Sequence, residues 1–174
     1  PKSGISVLEF IAKLSVKHFQ SQLQIVQIAT VARDGYSKGK LYLSTETLKN
    51  PSLASFTIIA HEAGHALQDR QGNKIKTLSR LRKWGKLRGV FMLPSIIIGA
   101  VLMIIGQNLF FWGVGVVGFG VFLFFLALFI KLRTISIEKD ASKNAIMFLN
   151  EFFEGEELKK CKKFLLSARM TYWA

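Results

Sequence analysis

The sequence predicts a mainly α-helical membrane protein in which a small α+β part is joined to a two-helix transmembrane hairpin. Three observations carry that fold class. Half of the 174 residues are hydrophobic. They are unevenly placed: from Gly89 to Ile130 there is no Asp, Glu, Lys, Arg or His, while both flanks are rich in charge. Outside that stretch the apolar residues recur at helical and strand periods. Such alternation describes a membrane protein with soluble parts rather than one greasy globule. At this length the soluble parts form one core, since two would each be too small.

The elements follow in order. Residues 6–19 read as an amphipathic helix, with Val7, Leu8, Ile11, Leu14 and Val16 as its apolar stripe and Lys13 and Lys17 on the polar side. Residues 21–30 alternate and are rich in β-branched side chains, which predicts a strand. Arg33-Asp34-Gly35 is a turn signal, and residues 40–44 form a second short strand. Asn50-Pro51 breaks the chain, and Ser52 is placed to cap a helix over 53–68 that ends at Gln71-Gly72-Asn73. A basic helix over 74–88 leads to the membrane. The 42 uncharged residues that follow would extend about 63 Å as one helix, twice a bilayer core. Gly106-Gln107-Asn108 interrupts them, so they read as two antiparallel spans, 90–106 and 109–130. Helix resumes from 131 to about 153, Glu154-Gly155 breaks it, and 156–170 forms a last amphipathic helix. The organisation is therefore 1–88, a cytoplasmic N-terminal part with the motif helix; 89–130, the hairpin; and 131–174, a helical C-terminal part.

Composition narrows the function classes. A net charge of +13 would suit nucleic acid, but no RNA- or DNA-binding motif accompanies it. Beside a membrane span it fits cytoplasmic flanks and anionic headgroups. Membrane lipids are thus expected partners and nucleic acid is not. Cys161 is the only cysteine, which excludes an internal disulfide and a thiolate zinc cluster. The glycines of the second span (Gly113, Gly115, Gly118, Gly120) lack basic neighbours and phosphate-loop spacing, so they serve helix packing. No signal-peptide pattern occupies the first twenty residues, where Glu9, Lys13 and Lys17 interrupt any apolar run.

Chemistry concentrates at His61-Glu62-Ala63-Gly64-His65. Two histidines four apart on a helix lie on one face, a turn above one another, and can share one tetrahedral Zn²⁺. Glu62 then sits beside the metal, where its carboxylate can take a proton from water that the metal has made more acidic. Ala63 and Gly64 keep the intervening turn small. His18, the remaining histidine, reads as a partly exposed helix residue. A catalytic zinc needs a third protein ligand, and candidates lie in Glu138-Lys139-Asp140 just past the hairpin. Glu138 and Asp140 point different ways, so one of them ligates; spacing does not choose between them, and a solvated helix face is the plain alternative. Topology couples these features. One crossing between His61 and Glu138 would separate them across the bilayer, whereas two return the chain to the same side. Ten basic residues flank the hairpin and none lies in its connection, so the active site is expected on the cytoplasmic side of a multi-pass protein in the cell membrane.

The string Ala60-His61-Glu62-Ala63-Gly64-His65-Ala66-Leu67-Gln68-Asp69, the hydrophobic hairpin and Glu138-Lys139-Asp140-Ala141-Ser142 together resemble the bacterial membrane-bound neutral zinc metallopeptidases of YugP type. The likeness runs from about Ser3 to the C-terminus and includes Leu41–Ser44 and Ala168–Tyr172. It implies a zincin-like catalytic part, His61 and His65 as zinc ligands and Glu62 as catalytic base. By similarity to the E-x-x-A-D helix of gluzincins it favours Glu138 as third ligand. The chain departs from the family at Ser142, where the gluzincin helix has its supporting Asp, and at Gly35-Tyr36-Ser37-Lys38, where members carry a His-Tyr-Asp-Pro-like turn. Members also begin with a further transmembrane segment, so a start at Pro1 reads as truncated. The implied activity is that of a zinc-dependent membrane-anchored endopeptidase acting on membrane or membrane-proximal proteins. Leu41–Ser44 is then a candidate edge strand for an extended substrate, and Tyr36 or Tyr42 a candidate oxyanion donor. The rival from another class is a non-catalytic zinc-binding membrane adaptor.

Overall fold

The computed structural model describes residues 4–20, 23–29, 34–72 and 74–170, leaving aside the side chains of 74–89 and 169–170. The ends of the first expected strand (21, 22 and 30), Arg33 and Asn73 therefore lie outside the described residues. The chain divides into two compact units, Pro1–Ile75 with Ile137–Ala174, and Lys76–Ser136.

In the first unit, helix α1 (Val7–Leu14) starts where Ser6 Oγ accepts the Glu9 amide at 3.2 Å. This is the side-chain half of an N-terminal cap. Its buried face is Val7, Phe10, Ile11 and Leu14, a helical repeat centred on Phe10 rather than on Leu8 and Val16, which stay exposed. A π-helical turn (Ser15–Phe19) follows and ends at Gln20 in the left-handed region. Strands β1 (Gln24–Ile28), β2 (Gly35–Ser37) and β3 (Lys40–Ser44) form one sheet in the order β1-β3-β2. β1 runs parallel to β3, with Ile25 opposite Leu41, and β2 runs antiparallel to it, with Tyr36 opposite Leu41. The tight turn is Lys38-Gly39, both at positive φ, so Gly35 belongs to a strand rather than to the expected turn.

β3 is therefore the central strand. Its pairing with β1 runs the full length, β2 covers Lys40–Tyr42, and Asp34 Oδ1 accepts the Ser44 amide at 2.5 Å. With its polar backbone already engaged, Leu41–Ser44 cannot be the edge that pairs with a substrate, contrary to the sequence expectation. A short helix α2 (Thr45–Lys49), capped by Ser44, leads to α3 (Leu53–Gly72). There Ser52 Oγ accepts the Ser55 amide at 3.1 Å, as its capping position suggests. The core is aromatic: Phe10, Phe19, Phe56, Phe148 and Phe153 are fully buried, and Phe10 meets Phe56 edge-on at 5.0 Å. Helix α6 (Gly155–Met170) begins at a left-handed Gly155 and contributes Cys161 and Leu165 to that core.

The second unit is built from α4 (Lys74–Ile105) and the first part of α5 (Phe110–Leu149), joined through the 3₁₀ turn Gln107–Leu109. The break falls at Gly106-Gln107-Asn108, but each helix continues into its charged flank, so the unit is wider than the uncharged stretch. The basic segment and the first apolar stretch are one helix, with Pro94 inside it. The two helices pack antiparallel. A Cβ on Gly113 would lie 2.6 Å from Gly99 O, one on Gly99 2.7 Å from Val117 N, and one on Gly120 2.7 Å from Ile96 Cγ1. α5 is long and apolar enough to cross a membrane, and Val90–Ile105 is a shorter apolar helical segment.

Candidate metal centre

α3 is mostly buried on the face that carries Ala60, Ala63, Gly64 and His65. Small residues let it approach α5 closely. A Cβ on Gly64 would collide with the carbonyl oxygen of Ala141, so glycine is required by the neighbouring backbone. That is a different reason from the small turn between the histidines expected from sequence. Asn144 Nδ2 donates to Gly64 O across the same contact, at 3.4 Å.

The approach brings three donors together. Glu138 Oε2 lies 3.2 Å from His61 Nε2 and 3.3 Å from His65 Nε2. Among the described residues, His61, His65 and Glu138 are the one such group that could hold a metal ion, their ligand atoms lying within 4.8 Å of one another. Asp140, the rival third ligand, stands outside that group. The donor set fits zinc in kind and in spacing. With bonds of roughly 2.0–2.1 Å, two donors on a tetrahedral ion are about 3.3 Å apart. Glu138 is 2% exposed and His61 20%, which leaves the site accessible from the His61 side.

Charge and burial oppose one another here. Burial alone would raise the Glu138 carboxyl, but hydrogen bonds and charge from His61 and His65 more than offset it and hold the group at about 2. Burial opposes the His65 imidazolium, yet the Glu138 carboxylate outweighs that and raises its pKa. Donors in this state would exchange protons for a metal ion. Glu62 is half-buried; desolvation pushes its carboxyl upward, with His65 and His61 pulling the other way. A raised carboxylate is the better base near neutral pH.

The remaining candidates are accounted for elsewhere. Tyr36 donates to Asp69 Oδ2 at 3.0 Å, and burial with that bond pushes its phenol up to about 12. Tyr42 lies half-buried on the central strand, Cys161 is in the core, and His18 pairs with Glu151 at 3.0 Å. Ser142 is buried one turn beyond Glu138. Sequence reading quoted Gln68 only within the resembling string. It is in fact buried, with its Oε1 3.0 Å from His65 Nδ1 and its Nε2 2.8 Å from Ile137 O. A polar residue three positions after a motif histidine was the available signal.

The profile of the family described as "Putative neutral zinc metallopeptidase" matches residues 2–174. The chain belongs to this family. The chain is similar to the "Putative membrane protease YugP" of Bacillus subtilis (strain 168), 25% identical over 134 residues. That alignment covers 76% of this chain and 56% of the relative, so the chain spans little more than half of the relative's length. No solved structure matches it.

Proposed function

We propose that this chain is a zinc-dependent, membrane-anchored endopeptidase in which His61, His65 and Glu138 hold the metal and Glu62 is the catalytic base. The observation that carries the reading is the convergence of both Nε2 atoms on one Glu138 oxygen, at 3.2 and 3.3 Å, with Glu62 adjacent on the same helix. Zinc held there supplies a Lewis acid that polarises a carbonyl and makes water more acidic. Glu62 takes the proton from the attacking water on its carboxylate and returns it to the leaving amine. Glu138 and the two imidazoles fix the electrostatics of the centre, and the partial exposure of His61 leaves an approach for substrate. A third ligand from a separate helix is similar to the gluzincin arrangement.

Residues 89–130 act as a two-span hairpin, with the parts before and after it on the same, cytoplasmic side. The close antiparallel packing at Gly99, Gly113 and Gly120 and the basic flanks support that topology. Membrane or membrane-proximal proteins are then the substrates within reach, and lipid is the surrounding partner. The test is cleavage of a complex peptide mixture by the full chain in detergent, read by mass spectrometry, beside Glu62→Gln. Cleavage that needs zinc and falls roughly 100- to 10,000-fold in Glu62→Gln, with zinc retained, supports the reading. Zinc bound by a wild-type chain that cleaves nothing points instead to the adaptor, and activity that survives Glu62→Gln removes Glu62 as base.

A further inference from the structure

We infer that Gln68 is a positioning residue: its one buried amide fixes the tautomer of His65 and ties that histidine to the backbone beside Glu138. The inference rests on the metal reading above. The side chain is 1% exposed and both of its ends are engaged. Nε2 lies 2.8 Å from Ile137 O, and Oε1 lies 3.0 Å from His65 Nδ1.

The orientation follows from chemistry. A backbone carbonyl can only accept, so the NH₂ end of the amide must face Ile137. The carbonyl end then faces His65, and an amide oxygen can only accept, so Nδ1 must carry a proton. That leaves the ligating role to Nε2, the nitrogen that faces Glu138 Oε2 at 3.3 Å. Ile137 directly precedes Glu138, so the same amide holds α5 in the position that presents the carboxylate. His61 differs, because its Nδ1 is buried and has no hydrogen-bond partner among the described residues. The two histidines are thus unequally held, and the orienting bond belongs to His65. Partners of this kind commonly change metal affinity roughly 10- to 100-fold when removed.

The experiment compares wild type, Gln68→Met and Gln68→Glu as full chains in detergent. Zinc affinity is read by competition with a chromophoric chelator, and ligand geometry by the visible spectrum of the cobalt(II)-loaded protein. Gln68→Met removes both bonds and is expected to weaken zinc roughly 10- to 100-fold and to alter the cobalt spectrum. Gln68→Glu keeps an acceptor for Nδ1 but loses the donor to Ile137 O, so it is expected to weaken zinc less than Gln68→Met and to keep Nδ1 protonated. Phe153→Leu, which disturbs the core without touching His65, lowers the melting temperature but leaves zinc affinity unchanged. Gln68→Met binding within about threefold of wild type with an unaltered spectrum overturns the inference, and so does Gln68→Glu losing as much as Gln68→Met. Histidine-selective ¹⁵N spectra of the zinc-loaded wild type give a reading independent of any variant. His65 with a protonated Nδ1 supports the assignment, and a protonated Nε2 overturns it. A wild-type chain that takes up neither zinc nor cobalt sinks the metal reading itself, and the inference with it.

Discussion

The two units bury opposite things. The unit of 1–75 and 137–174 hides its large aromatic residues and also hides polar groups, among them His65, Gln68 and Glu138, each with a partner. The unit of 76–136 turns its large apolar side chains outward; Phe111 and Ile104 are more than four-fifths exposed, and glycines line its inner contact. A water-facing core is held by removing apolar surface from water. On the proposed hairpin reading, helices in lipid would gain nothing that way, and close backbone approach at small residues would hold them together instead. On that reading, exposure alone means different things in the two units.

The largest expected effect tests that difference directly. Phe122 and Leu8 are similarly exposed, at 60% and 65%, but Phe122 lies within the expected span and Leu8 on α1, outside it. Phe122→Lys should cost about 2.5–3.5 kcal/mol of insertion free energy, read as lost membrane retention after carbonate extraction. Leu8→Lys should change the stability of its own unit by no more than about 0.5 kcal/mol. Equal tolerance at the two sites would break the contrast.

Next come the two glycine contacts. A methyl group at Gly64 meets the Ala141 backbone, and one at Gly113 meets the Gly99 backbone. Each alanine should cost about 1–3 kcal/mol through overpacking, but with different consequences. Gly64→Ala should weaken zinc binding by pushing α3 off α5, whereas Gly113→Ala should lower the melting temperature and leave zinc alone. Zinc loss in both variants would mean that the hairpin packing and the metal site are not independent.

The smallest effect is local to the sheet. Tyr36→Phe removes the donor to Asp69 and should cost about 0.5–1.5 kcal/mol. The Tyr36 phenol sits at about 12 in the folded chain, above its ordinary value of 10.0. Its contribution is therefore complete below about pH 10 and is lost as pH rises through the folded value. Wild type and Tyr36→Phe should converge in chemical stability toward that alkaline limit.

Much of this was legible from residue patterns, and the exceptions have physical causes. The helix carrying His61 and His65, the break at Gly106-Gln107-Asn108 and the strand at 40–44 stand out because caps, amides and alternation mark them locally. β2 was missed because Gly35 and Ser37 are weak strand formers and only pairing with β3 makes them one. α2 is five residues long, too short for a periodic signal. Phe10 displaced Leu8 from the stripe because its ring packs against Phe56 and Phe152, neighbours that a local window cannot see. The choice between Glu138 and Asp140 lay beyond spacing for the same reason: it depends on the α3–α5 contact through Gly64 and Ala141. Gln68 was legible only as a letter in a motif, since its partners are 3 and 69 residues away.

The most direct test of the central claim is zinc per chain in detergent-purified protein, with wild type beside Glu138→Ala and the more conservative Glu138→Gln. About one zinc in the wild type and a sharp loss in both folded variants is the expected result, since a three-ligand site loses an anionic donor. Wild-type chain that binds no zinc at neutral pH with the metal supplied, or folded Glu138 variants that retain it fully, would contradict the site.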